Sequence, residues 1–183
     1  MKHIDKEKIR DWLKEILLYA VFFLIAAIIL TKVLLIGTVS SGSMEPTLKV
    51  GNKVLVNGLA YTMEGPKRGD IILFEFESLQ AVFTKRVIGL PGEKISFQKG
   101  EVYINDELLH EDYLREDIDT LSLQSFVIPE NCYFVMGDNR EESLDSRFWR
   151  EPYVAKESIK GKVFLQIPLI HIKEEPDEDF DKK

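Results

Sequence analysis

The residues from Ile16 to Leu30 are apolar without a break, and Val33 to Ile36 prolong the run past Thr31 and Lys32. Through Ile36 the stretch holds 21 residues, which as a helix rises roughly 31 Å, close to the hydrocarbon thickness of a bilayer. The pattern predicts a membrane-spanning anchor over 16–36, with the Lys32 ammonium reaching the headgroups one turn from its end. A cleavable leader has a shorter apolar region closed by a small-x-small site, and no Ala-x-Ala follows Leu30. From Val39 onward the periodicity changes to short strands parted by turns. Strands are expected at 53–57, 71–76, 81–90, 93–97, 101–104, 126–128, 133–136 and 162–165, with a helical turn within 150–160. Glycine and proline punctuate them at 65–69, 91–92 and 100. Residues 107–123 are polar and irregular and read as a surface excursion. No repeat and no alternating βαβ pattern occurs, so the expected fold is mainly β, a single β-sheet domain on one N-terminal transmembrane helix.

Charge sets the orientation. Lys2, Lys6, Lys8, Arg10 and Lys14 precede the apolar run, whereas the 14 residues after Ile36 carry only Lys49. Counting lysines and arginines across the anchor assigns residues 1–15 to the cytoplasm and 37–172 to the outside of the cell membrane, with a single pass. A net charge of -7 argues against a nucleic-acid partner. Six carboxylates between Glu174 and Asp181 mark 173–183 as a solvated acidic tail, expected to be disordered. One cysteine, Cys132, excludes an intramolecular disulfide, and its apolar neighbours suit a packed strand residue.

Two residues stand out chemically. On a strand over 81–90, Lys85 shares a face with Ala81, Phe83, Val87 and Gly89. A lysine in that company either sits at a sheet margin with its ammonium in water or is buried. Burial disfavours the ammonium and yields the neutral amine that a general base requires. Ser43 lies in Ser40-Ser41-Gly42-Ser43-Met44-Glu45-Pro46-Thr47-Leu48, where Gly42 permits close backbone approach and Thr47 suits the cap of a following helix. A serine attacking an amide needs a base and oxyanion donors, for which its own N–H and the Ser41 hydroxyl are at hand. The three histidines, His3, His110 and His171, lie in no motif-like setting, so a Ser-His-Asp arrangement is poorly supported, with His110 left open. One cysteine and scattered histidines give no metal-ligand spacing, and no cofactor is expected. A third cluster, Gly137-Asp138-Asn139-Arg140-Glu141-Glu142-Ser143-Leu144-Asp145-Ser146-Arg147, follows an apolar strand and suits a tight turn with an Asp145–Arg147 ion pair.

The series Ser41-Gly42-Ser43-Met44-Glu45-Pro46-Thr47-Leu48, Gly69-Asp70-Ile71-Ile72, Lys85-Arg86-Val87-Ile88-Gly89-Leu90-Pro91-Gly92 and Gly137-Asp138-Asn139-Arg140 with Ser143, Asp145, Ser146 and Arg147 resembles the ordered motifs of bacterial type I signal peptidases. The short interval between the lysine and the last motif is similar to the compact single-span form. Glu93 stands where many members carry aspartate. The resemblance implies a β-sheet catalytic domain in which Ser43 is the acylated nucleophile and Lys85 its general base. Ser41 would complete the oxyanion hole with Ser43, and Ser143 would orient the lysine. Asp138, Asp145 and Arg147 would stiffen the scaffold, while Met44, Leu48 and Phe83 would wall the substrate cleft. The implied partners are the lipid bilayer and exported preproteins with small residues at -1 and -3. Two other readings keep the topology: a non-catalytic anchored β module that binds extended peptides or a secretion partner, and a processing peptidase with one dedicated substrate.

Overall fold

The computed structural model describes residues 6–76, 80–114, 120–122 and 124–169. The acidic tail, His3 and His171 lie outside them. A helix, α1 (Lys6–Val33), runs straight into strand β1 (Leu34–Thr38). The apolar run is therefore divided: the expected helix to Ile36 ends at Val33. Leu34 to Ile36 pair instead with Asn57 to Leu55 of strand β2 (Lys53–Asn57). The Val33 carbonyl accepts the Gly58 N–H at 2.8 Å, so the last helical turn is tied to the end of β2. Among the described residues no helix is long and apolar enough to cross a membrane.

Nine more strands follow: β3 (Ile71–Phe76), β4 (Ala81–Gly89), β5 (Lys94–Gln98), β6 (Glu101–Ile104), β7 (Glu107–Leu108), β8 (Phe126–Val127), β9 (Cys132–Met136), β10 (Val154–Ala155) and β11 (Ile159–Ile167). They build a seven-stranded sheet in the order β1-β2-β11-β3-β4-β9-β10 and a four-stranded sheet in the order β7-β6-β5-β8. All described pairings are antiparallel. The helical turn expected within 150–160 shrinks to one 3-10 turn at Lys156–Ser158, because Val154 and Ala155 pair with β9.

Three clusters form the core. Ile72, Phe74, Phe76, Val87, Tyr133, Val135, Trp149 and Val154 form the first. Ile88, Ile95, Phe134 and Met136 belong to the second, under the small sheet, and Met44, Leu48, Val54, Val56 and Val163 make the third. Strands β4 and β9 contribute alternate residues to the first two clusters, Val87 and Val135 to one, Ile88 and Phe134 to the other. Both faces of β4 are therefore covered from Lys85 onward. Lys85 opens this covered half of the strand.

Turn chemistry fixes the strand ends. Glu93 accepts Leu90 N–H at 2.7 Å and two Arg68 N–H groups at 2.5 and 2.9 Å, closing the Leu90-Pro91-Gly92 turn after β4. On β11 the register slips between Ile159 and Gly161, where the chain crosses from β3 to β2. A Cβ at Gly161 would overlap the Asn57 carbonyl, which is backbone and cannot swing away. Gly161→Ala is accordingly expected to destabilise the domain by about 1–3 kcal/mol, read as a lowered midpoint in denaturant unfolding with unchanged slope.

Candidate active site

Ser43 sits in a 3-10 turn, Gly42–Met44, anchored from both sides. Met44 and Leu48, each at most 3% exposed, plug into the third core cluster and hold the turn against the sheet. From the other side Asn139 N–H donates to the Ser43 carbonyl at 3.1 Å and its side-chain amide to the Gly42 carbonyl at 3.2 Å. Thr47 caps no helix, since none follows. Its hydroxyl donates instead to Asp138 Oδ2 at 2.5 Å. The Ser41 and Ser43 hydroxyls lie 3.3 Å apart.

Lys85 points into the covered half of β4 and is 2% exposed, so it does not reach water at a sheet margin. Its Nζ donates to Ser143 Oγ at 2.8 Å. Burial lowers its pKa to about 8; Asp145 and Asp138 oppose the fall, and Arg147 adds to it. The described hydrogen bonds include none between Lys85 Nζ and Ser43 Oγ. Ser43 and Ser143, the partner of Lys85, nonetheless converge at Gly137, where an added Cβ would collide with both the Ser43 carbonyl and the Ser143 hydroxyl. Only glycine lets the serine turn and the Ser143 loop close on one another.

Three guanidiniums brace this junction, each matched by a carboxylate. Arg147 donates from Nε and Nη2 to Asp145 at 2.8 and 2.9 Å, both side chains fully buried. Asp145 also accepts the Gly137 N–H at 2.9 Å. Arg86 grips Asp138 at 2.6 and 2.8 Å. Arg140 pairs with Glu111 and also donates to Thr120. The sequence pointed to Asp138, Asp145 and Arg147 but not to Arg86 as a partner, and it put Glu111, Tyr113 and Thr120 on the surface. That expectation is corrected: Glu111 is mostly buried against Arg140, and Thr120 is 2% exposed. The signal available was the apolar content of the segment, Leu108, Leu109, Tyr113 and Leu114 among the acids.

A cleft of about 530 Å³ opens beside Ser43, lined by Ser41, Ser43, Met44 and Leu48, by β1 and by Ala81 to Thr84 of β4. Phe83 lines it, stacks on the Phe74 ring behind, and meets Phe76 edge-to-face and Trp149 at a tilt. Strand β1 is an edge of its sheet, and β9 pairs with β4 only from Arg86 on. Among the described residues, two unpaired backbone edges thus flank the cleft. His110 is exposed and lines a separate cavity with Glu101 and Asp112, away from Ser43. Among the described residues no group of His, Cys, Asp and Glu side chains is arranged to hold a metal ion.

A buried lysine amine of lowered basicity, bonded to Ser143 and separated only by the Ser143 loop and Gly137 from the turn whose Ser43 opens onto the cleft, is equipped for general-base chemistry on an acyl group. The profile of the family described as "Signal peptidase, peptidase S26" matches residues 9–167, and the chain belongs to that family. A signal peptidase IB of Staphylococcus aureus (strain COL) is 31% identical, the match covering 86% of this chain and 88% of the relative. A probable signal peptidase I-2 of Synechocystis sp. is 34% identical over 70% of this chain, and a signal peptidase I of Pseudomonas aeruginosa is 32% identical over 69%. The chain spans only 60% and 62% of those two relatives. A crystal structure described as a signal peptidase I from Enterococcus faecalis V583 is 33% identical, covering 55% of this chain and 98% of that one at a TM-score of 0.47.

Proposed function

We propose that the protein is a membrane-anchored serine endopeptidase that removes signal peptides from exported preproteins, with Ser43 as nucleophile and Lys85 as general base. The observation that carries this reading is the Lys85 amine: 2% exposed, bonded to Ser143 at 2.8 Å, with a pKa brought down to about 8. Lys85 takes the proton of the Ser43 hydroxyl as its oxygen attacks the scissile carbonyl, and returns it to the leaving amine. Water then repeats the cycle on the acyl-enzyme. Catalytic hydrogen bonds are commonly long in an empty site and tighten around substrate, which suits the absence of a direct Ser43–Lys85 bond. The oxyanion is met by the Ser43 N–H and the Ser41 hydroxyl. Asp138, Asp145 and Arg147 keep the Ser143 loop in place.

The substrate lies extended between the free edges of β1 and β4, adding backbone hydrogen bonds while Met44, Leu48 and Phe83 leave room only for small side chains at -1 and -3. The anchor is α1. Its support is the charge-free run from Ile16 to Leu30 and the apolar side chains it leaves exposed, among them Leu17 at 64%, Phe22 at 65% and Phe23 at 68%. Such a surface has lipid as its natural partner. The lysine count on either side of the run places residues 1–15 in the cytoplasm and the catalytic domain outside.

The pH dependence tests the base directly. The base works when neutral, so kcat/KM for a peptide bearing Ala-x-Ala should rise with pH through an acid limb centred near pH 8, well below the ordinary lysine range. An acid limb that vanished in His110→Ala would transfer the role of base to His110.

A further inference from the structure

Glu111 and Tyr113 dock onto the two strips of chain that carry Lys85 and Ser143. The Glu111 carboxylate accepts from Arg140 Nη1 at 2.9 Å, from Arg140 Nη2 at 2.5 Å and from the Tyr113 hydroxyl. The Arg140 side chain has no exposed surface and the Glu111 side chain only 8%. Arg140 is three residues before Ser143, and its carbonyl accepts from Arg147 Nη2 at 2.8 Å. The Tyr113 ring lies 3.9 Å from the guanidinium carbon of Arg86, the residue after Lys85. Thr120 is held as well, its N–H donating to the Gly100 carbonyl at 3.0 Å.

Arg86 takes Asp138 and Arg147 takes Asp145, both acids of the Gly137–Arg147 loop itself. Arg140 alone is neutralised from elsewhere in the chain. A buried guanidinium that loses its only carboxylate is drawn toward water, and the loop bearing it must follow. Ser143 rides on that loop.

We propose that Glu111, assisted by Tyr113, is a positioning residue for the Lys85–Ser143 hydrogen bond. The inference builds on the Ser43/Lys85 reading above. The charges facing Lys85 are Asp145, Asp138 and Arg147, with Ser143 as its hydrogen-bond partner, and neither Glu111 nor Arg140 acts on it directly. Glu111 therefore works through geometry: with the loop in place water is kept from the amine, and with the loop loosened water returns and the lysine regains basicity.

The test uses the full chain in detergent micelles, an Ala-x-Ala peptide, and hydrogen exchange on the same samples. Glu111→Ala should lower kcat by about 10- to 100-fold with KM within about threefold, since a displacement on the order of 1 Å in a reacting group costs that much. Its acid limb should move to higher pH, and amide exchange should rise across 137–147 but not across β5 and β6. Glu111→Asp should recover kcat to within about fivefold of the parent by restoring the ion pair. Unchanged kcat and acid limb in folded Glu111→Ala would overturn the proposal. So would a loss of activity equal to the unfolded fraction, with the limb unmoved. If Glu111→Ala does not fold, Tyr113→Phe decides: a shifted limb supports the positioning role and an unshifted one sinks it. The exchange readout is independent of peptidase chemistry. Full activity in Ser43→Ala would thus refute the Ser/Lys reading while leaving a rise in exchange at 137–147 to report on the docking.

Discussion

Ser43→Ala and Lys85→Met are each expected to reduce cleavage of an Ala-x-Ala peptide by more than about 1000-fold while the domain stays folded. The two losses have different origins. Removing the Ser43 hydroxyl leaves the cleft, the Ser41 hydroxyl and the backbone donors intact, so peptide binding should survive with kcat lost. Replacing Lys85 removes the group that accepts the serine proton, and no other base is bonded to Ser143 or Ser43 among the described residues. Methionine fills the same space without a charge. Because burial holds the lysine pKa below its unfolded value, the folded state binds fewer protons between about pH 8 and the ordinary lysine range, and parent stability should rise across that window. Lys85→Met lacks that slope. The measurements are steady-state cleavage and unfolding midpoints at several pH values. A variant of either residue retaining a tenth of parental activity would refute the dyad.

The second large effect concerns stability. Asp145→Ala should destabilise the domain by about 3–5 kcal/mol, because it strands a fully buried Arg147 and leaves the Gly137 N–H without its acceptor. Asp145→Asn keeps an acceptor for Gly137 and should recover part of the loss. Denaturant unfolding of the three proteins checks both statements, and a cost below about 1 kcal/mol for the alanine variant would show that the ion pair is not what holds the loop. Activity should fall with Asp145→Ala as well, since Gly137 is where the Ser43 carbonyl and the Ser143 hydroxyl meet.

What the sequence disclosed follows the range of the interaction that decides each feature. Strands β2, β3 and β6 were legible from their own residues, because alternation and glycine turns are local signals. Strand β1 was not: Leu34 to Ile36 continue an apolar run, and a short strand and a helix look alike when every position is apolar. Pairing with β2, some twenty residues on, decides it. The burial of Lys85 could be framed as one of two outcomes but not settled, since it depends on the loop bearing Ser143, 58 residues on, closing over its amine. The charge pairs were hardest. Asp145 and Arg147 are two residues apart and could be matched by eye, whereas Arg86–Asp138 and Glu111–Arg140 join positions 52 and 29 residues apart. Nothing local in 107–123 tells an acid seeking solvent from one seeking a buried arginine.

The junction at Val33 gives the proposed anchoring a dimension of length. Helix passes to strand without a linker, the last helical carbonyl is bonded to Gly58, and five residues of paired β1 lead toward the serine turn. A catalytic serine on a floppy stalk samples many heights above a membrane. One carried by a paired strand that begins where the helix ends is held at nearly one height, about 17 Å of strand beyond the helix end at 3.4 Å per residue. The enzyme would then act as a gauge, choosing among candidate bonds in an emerging chain by their elevation as well as by the small side chains beside them.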